Sequence, residues 1–219
     1  ITQQIKNPDI YIIGASMLPI NSIAQVPSGQ NFIVVSSDWR GLLIDLFKTY
    51  QDSLELESAL SLILLHEFGH LSPPEILDTA FTSENLFLND PKQMIKEFQA
   101  DQFVVNIIRH ALIGNEKERV TGDKLKLALK HMAVGIDRRN HLHNSFGGSL
   151  LSMTTKDPLA IWVDRGYTHP NTNLRFLIMD YMISPNDEKR KQIEYFYKWR
   201  KVKKTKKMKK KYKKEKQTW

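Results

Sequence analysis

Apolar residues recur along this chain mostly at helical spacing, with short alternating stretches near the start. Ile10–Ile13 and Asn31–Val35 are rich in Ile and Val and read as strands. Between them, NSIAQVPSGQ carries Pro27, Ser28 and Gly29, which mark a turn. Asp38 is suited to cap a helix from Trp39 to about Tyr50, with Leu42, Leu43, Leu46 and Phe47 on one side. Leu54, Leu56, Ala59, Leu60, Ile63 and Leu64 give a second helix, which Pro73 and Pro74 end. The segment 72–89 is polar and irregular. Asp90–Pro91 then reads as an N-cap followed by proline in the first turn of a helix reaching about Ile113, with Gly114 as its stop.

Thr121 would cap a further helix, Gly122–Ile136, with Leu125, Ala128, Met132 and Ile136 facing inward. Asp137–Asp157 is polar, contains Gly147–Gly148 and reads as a loop; His141 and His143, two apart within it, have no ligand spacing. After Pro170 a helix carries Leu174, Phe176, Leu177, Met179 and Tyr181. Ser184–Pro185 opens the last one, packed through Ile193, Phe196, Tyr197 and Trp199. The pattern predicts an α+β domain that is mainly helical, with a small sheet.

Composition narrows the class. The 219 residues are 41% hydrophobic and 26% charged, as expected of a globular protein with a sizeable core. No uninterrupted apolar run approaches the roughly 18 residues of a membrane helix. The chain opens at Ile1 without a signal-peptide pattern, as a processed or truncated product would, and a cytoplasmic location is expected. The net charge of +8 is unevenly distributed. From Lys198 to Trp219 thirteen Lys or Arg face one acid, a net of +12, which leaves residues 1–197 at −4. The expected organisation is a mildly acidic domain, 1–197, and a basic tail, 198–219. The tail stretch Arg200–Lys216 has eleven lysines among its seventeen residues, a composition suited to non-specific contact with nucleic acid or an anionic membrane surface.

The candidate chemistry lies in LILLHEFGH, Leu62–His70. Residues four apart share a helix face, so His66 and His70 can reach one metal ion. Glu67 is placed to take a proton from water that the metal activates. The chain has no cysteine, so every metal ligand must be His, Asp or Glu. Glu97 is the best third ligand: it lies on the next helix, with Asp101 one turn further on the same face. Asp101 would then accept the ring N–H of a ligating histidine and fix its orientation.

LILLHEFGH followed by EFQAD resembles the gluzincin zinc peptidases that include HtpX, the Oma-type protease, BepA and the CAAX prenyl proteases. NSIAQVPSGQNFIVVSSDW resembles that family's N-A-F-x-x-P-x-G strand–turn–strand. SLELESALSLILLHEFGH resembles its D-E-x-E-L-A-x-V-L-A-H-E-x-G-H run, and THPNTNLRF its T-H-P-x-x-x-x-R-I block. These stretches follow the family order between Asn21 and Phe176. The resemblance implies a zincin-like fold and one zinc ion held by His66, His70 and Glu97. Glu67 would be the general base and Asp101 the orienting carboxylate. It also implies that His169 approaches the substrate oxyanion and that Arg175 supports the site. Asn31, Phe32, Ile33, Val34 and Val35 would form the edge strand that binds an extended protein or peptide substrate. The sequence departs from the family at Ser22, Gln25 and Val26, and in lacking a spanning segment.

Two other readings remain open. ImmA-type repressor-cleaving peptidases also carry H-E-x-x-H, but their downstream motif is E-x-x-A-N where this chain has Asp101. A catalytically degenerate module that binds polyanions through its tail is the alternative of another class.

Overall fold

The computed structural model describes residues 8–18, 22–47, 53–73, 91–143 and 172–194. It is mainly helical, with one three-stranded sheet. In order come β1 (Ile10–Ile13), a 3-10 turn (Ala15–Met17), β2 (Ala24–Gln25) and β3 (Ile33–Ser36). The helices are α1 (Trp39–Phe47), α2 (Ser53–Leu71), α3 (Pro91–Leu112), α4 (Glu116–His143) and α5 (Thr172–Ile183). Residues 187–194 form a last helical stretch, α6.

The sheet order is β1-β3-β2, with β1 parallel and β2 antiparallel to β3. The turn at Pro27–Gln30 closes with a 3.0 Å bond from the Gln30 N–H to the Pro27 carbonyl. Gly29 holds φ at 75° there, the left-handed conformation that glycine adopts without strain. One face of the sheet, through Ala24, Ile33 and Val35, packs on Leu60, Ile63, Leu64 and Phe68 of α2.

Helix α2 lies between the sheet and the remaining helices, in contact with α1, α3 and α4. Its Leu56, Ala59 and Leu62 enter a core shared with Phe98, Val104 and Ile108 of α3, Leu125, Ala128 and Leu129 of α4, and Leu174 and Ile178 of α5. Burying this many aliphatic side chains, at roughly 1.5–3 kcal/mol each, makes α2 a rigid mount for what it carries.

Several boundaries differ from the sequence reading. Helix α4 starts at Glu116 and not at Gly122, because Asn115 and Glu118 form a capping box. The Glu118 N–H donates to Asn115 Oδ1 at 3.1 Å and the Asn115 N–H to Glu118 Oε2 at 2.8 Å. Thr121 is therefore not a cap: its hydroxyl donates to the Lys117 carbonyl inside the helix at 3.0 Å. The same helix runs on to His143, so His141 and His143 lie on its last turn and not in a loop. The final helix is capped by Asn186, which accepts from the Lys189 N–H at 2.8 Å, where Ser184 was expected to open it. The caps proposed at Asp90, the polar segment beyond Pro73, Phe196 to Trp199, and the whole tail lie outside the described residues.

Candidate metal centre

The H-E-x-x-H segment falls in the last two turns of α2, and Glu97 and Asp101 in the first half of α3. Gly69 lets the two helices meet. A Cβ added there would sit 2.7 Å from the Ala100 Cα and 3.0 Å from its carbonyl oxygen. Only a bare α-carbon fits between the two backbones at this crossing, and the contact brings Glu97 up to both histidines.

The geometry is that of a ligand set. The His66 and His70 rings are stacked edge to face with centroids 4.7 Å apart. Glu97 Oε2 lies 3.4 Å from His66 Nε2, and Oε1 lies 3.6 Å from His70 Nε2. Each ring nitrogen is near a different oxygen of Glu97, so the carboxylate lies between the two rings. One ligand atom from each of His66, His70 and Glu97 lies within 4.8 Å of the others, and this group could hold a metal ion.

A surrounding layer fixes these side chains. Asp101 Oδ1 is 3.0 Å from His66 Nδ1, and the carboxylate is almost fully buried. Arg175, from α5, grips Asp101 with two bonds of 2.7 Å. The same guanidinium forms a 3.0 Å ion pair with Glu97 and lies 3.3 Å from both His66 ring nitrogens. Arg175 therefore bridges the candidate ligand helix α3 to α5, a tighter involvement than the sequence pattern indicated.

Glu67 points elsewhere. Its Oε2 accepts the Val26 N–H at 2.9 Å, just past β2, and it is absent from the metal-ligating group. The backbone hydrogen-bond pattern explains the contact. Ser36 N–H donates to the Ile23 carbonyl, so Ile23 and Gln25 face β3, while Ala24 and Val26 face away from it. The side of β2 away from β3 is thus the sheet edge nearest Glu67. Among the described residues no strand lies beside it, and the Ala24 carbonyl there accepts from the Ser22 hydroxyl at 3.2 Å.

The strand expected at the sheet edge is instead central. Ile33, Val34 and Val35 belong to β3, the central strand, paired on both sides; Asn31 and Phe32 precede it. A two-residue strand has too little alternation to be read from sequence. The only signal was its place just before the Pro27–Gly29 turn.

Local fields separate the protonation behaviour of the cluster. Burial and the Arg175 charge oppose a proton on His66, but the hydrogen bonds to Asp101 and Glu97 outweigh them and push it up to about 9. Burial, reinforced by the neighbouring His66, pushes His70 down to about 4. Burial raises the Glu67 carboxyl, only partly offset by His66 and the Val26 N–H. Asp101 behaves oppositely: burial disfavours its charge, yet Arg175 holds it well below the ordinary carboxylate range. Ligation would require His66 to give up the proton that Asp101 and Glu97 favour. With both rings then neutral, the three carboxylates Glu67, Glu97 and Asp101 face one guanidinium among the described residues. A divalent cation would cancel the two-unit excess, so the donor set fits such an ion.

His169 lies outside the described residues. Among the described residues no helix is long and apolar enough to cross a membrane. No protein-family model, curated protein or solved structure matches this chain.

Proposed function

We propose that the protein is a zinc-dependent endopeptidase of the gluzincin kind, with a zincin-like fold, acting on extended segments of protein substrates. The observation that carries the reading is the division of labour within five residues of α2. His66 and His70 converge with Glu97, while Glu67 between them turns away to the Val26 N–H. Two imidazoles and a carboxylate leave a fourth position open, the pattern of catalytic rather than structural zinc. The order of the family-like sequence blocks gives the same assignment.

Zinc in this set would act as a Lewis acid and lower the pKa of water into the neutral range. The chain supplies the rest. Glu67, with its pKa raised by burial, is suited to accept a proton from attacking water and hand it to the leaving amine. Asp101 holds the His66 ring by its Nδ1, and Arg175 keeps that carboxylate ionised and oriented. The outer side of β2, next to Glu67, is where an extended peptide would add as a strand, taking over the Val26 N–H from Glu67 and the Ala24 carbonyl from Ser22. His169 remains the candidate for the oxyanion contact.

Glu67→Gln tests the reading. It keeps the size of the side chain and all three ligands, so zinc should stay while cleavage of an unstructured protein falls by about 10²-fold or more. New termini identified by mass spectrometry should vanish with it. Zinc lost together with activity would make Glu67 structural and sink the assignment.

A further inference from the structure

The second edge of the sheet carries an independent feature, on the side of α2 away from the metal ligands. The Ile33 N–H donates to the Asp9 carbonyl and the Ser37 N–H to the Ile13 carbonyl, both at 2.8–2.9 Å. Since successive residues of a strand turn their amides to opposite sides, Tyr11 also faces β3. Ile10 and Ile12 therefore direct N–H and C=O outward, and among the described residues no strand lies beside them.

Among the described residues this edge has none of the usual protections. The strand is Ile-Tyr-Ile-Ile, with no charge and no proline within it. Ile10, Tyr11 and Ile12 are 52%, 50% and 72% exposed. Ile10 and Ile12 share the sheet face of their register partners Ile33 and Val35, but α2 covers only β3 and β2. An apolar cleft of about 770 Å³ is left beneath the overhang, lined by Ile10, Ile33, Leu64, Phe68, Ile107 and Leu125. Leu64 and Phe68 stand two residues either side of His66, about 200° around the helix from it, so this cleft and the metal centre are on opposite faces.

We propose that the β1 edge is a homodimer interface, in which β1 pairs antiparallel with β1 of a second copy about a twofold axis at Tyr11. Strand chemistry selects this register. With Tyr11 opposite Tyr11, Ile10 of each copy meets Ile12 of the other, and both outward residues exchange a pair of main-chain bonds. A shift centred on Ile10 would bring Pro8, which has no N–H, into the ladder. A shift centred on Ile12 would need Gly14, where the strand has already ended. The chosen register also sets Asp9 opposite Ile13, so no like charges meet.

The pairing buries the exposed side chains on both copies at once. Cross-strand partners share a face, so Ile10 and Ile12 of one copy descend onto the cleft mouth of the other. The three exposed residues hold roughly 350 Å² per copy, about 700 Å² for the pair, which is below the ~1,000 Å² of a stable specific interface and in the range of a weak, transient one. A weak, reversible dimer with a Kd of about 10–100 μM is expected from so small a contact.

Sedimentation of the full chain at rising concentration provides the first test. The mass should climb from that of the 25.5 kDa monomer towards twice it. Ile12→Pro removes only an outward donor and should keep the protein monomeric at unchanged zinc content and circular dichroism. The second test uses the absence of cysteine. Non-hydrogen-bonded partners stand about 4.5 Å apart at Cα, within disulfide reach. Oxidised Tyr11→Cys should therefore cross-link to dimer, and Ile12→Cys, which faces Ile10 of the other copy, should not. A chain that stays monomeric at several hundred micromolar, a dimer indifferent to Ile12→Pro, or equal cross-linking by both cysteines overturns the proposal.

Discussion

Replacing Gly69 with alanine puts a methyl group where α2 and α3 touch. Its Cβ would stand 2.7 Å from the Ala100 Cα, 3.0 Å from the Ala100 oxygen and 3.1 Å from the Ala100 Cβ. Two of those atoms are backbone, so no rotamer change relieves the clash. The helices must part by about 0.8 Å to reach the near limit of carbon–carbon contact, ~3.5 Å. With side chains otherwise held, His70 Nε2 and Glu97 Oε1, now 3.6 Å apart, would separate to roughly 4.4 Å, well beyond a tetrahedral zinc edge. Overpacking costs about 1–3 kcal/mol, and alanine returns roughly 0.5–1 kcal/mol of helix propensity. The expected net loss is therefore modest, about 0–2.5 kcal/mol, while zinc affinity falls about 10-fold or more. Competition with a chromophoric chelator reads the affinity, and denaturant melts of the metal-free protein read the stability. Adding Ala100→Gly should not restore binding, because the closest atoms are main chain. Wild-type zinc affinity in Gly69→Ala would refute the idea that this crossing sets the ligand spacing.

Other expectations follow from the same geometry. Glu97→Ala should weaken zinc binding by about 10-fold or more, measured by equilibrium dialysis, since it removes a direct ligand. Arg175→Met strands the buried Asp101 carboxylate and should destabilise the protein by about 3–5 kcal/mol in chemical denaturation, as breaking a buried ion pair does. Asn115→Ala should lower stability by about 1 kcal/mol without altering zinc content, since it removes only a helix cap. Truncation after Tyr197 should leave cleavage of a short peptide nearly unchanged. It should also abolish binding to nucleic acid or anionic vesicles, whose salt slope in the intact chain should approach about −0.7 to −0.9 per phosphate neutralised.

The helices that hold the candidate site were legible because local signals coincide there. In α2 an apolar stripe runs into the motif and prolines follow it; in α3 a first-turn proline and Gly114 bracket the pattern. His66 and His70 can be paired because helix geometry puts residues four apart on one face, and Glu97 joins them through its E-x-x-x-D spacing with Asp101 and the absence of cysteine. Contacts set by tertiary approach were less readable. No periodicity reveals that Gly69 lies against Ala100, or that Arg175 reaches three site residues from α5. Strand order was also hidden, since the pattern that marks β3 as buried says nothing about which neighbour flanks it. The sequence pattern accordingly points to β3 as an edge strand, whereas β3 is central and the edge beside Glu67 is β2. The start of α4 was missed for a different reason. Asn115-x-x-Glu118 was a capping box in plain sight, but Thr121 offered a competing cap nearer the apolar stripe.

The central claim is that His66, His70 and Glu97 hold one catalytic zinc ion. X-ray absorption at the zinc edge, on protein purified without added metal, tests it most directly. The account predicts about one zinc per chain, two imidazole ligands and the remainder oxygen, at about 2.0–2.1 Å. The imidazole signal should persist in Glu67→Gln and be disrupted in His66→Ala. Protein that binds no zinc when loaded stoichiometrically, or zinc whose imidazole shell survives the loss of His66, would contradict it.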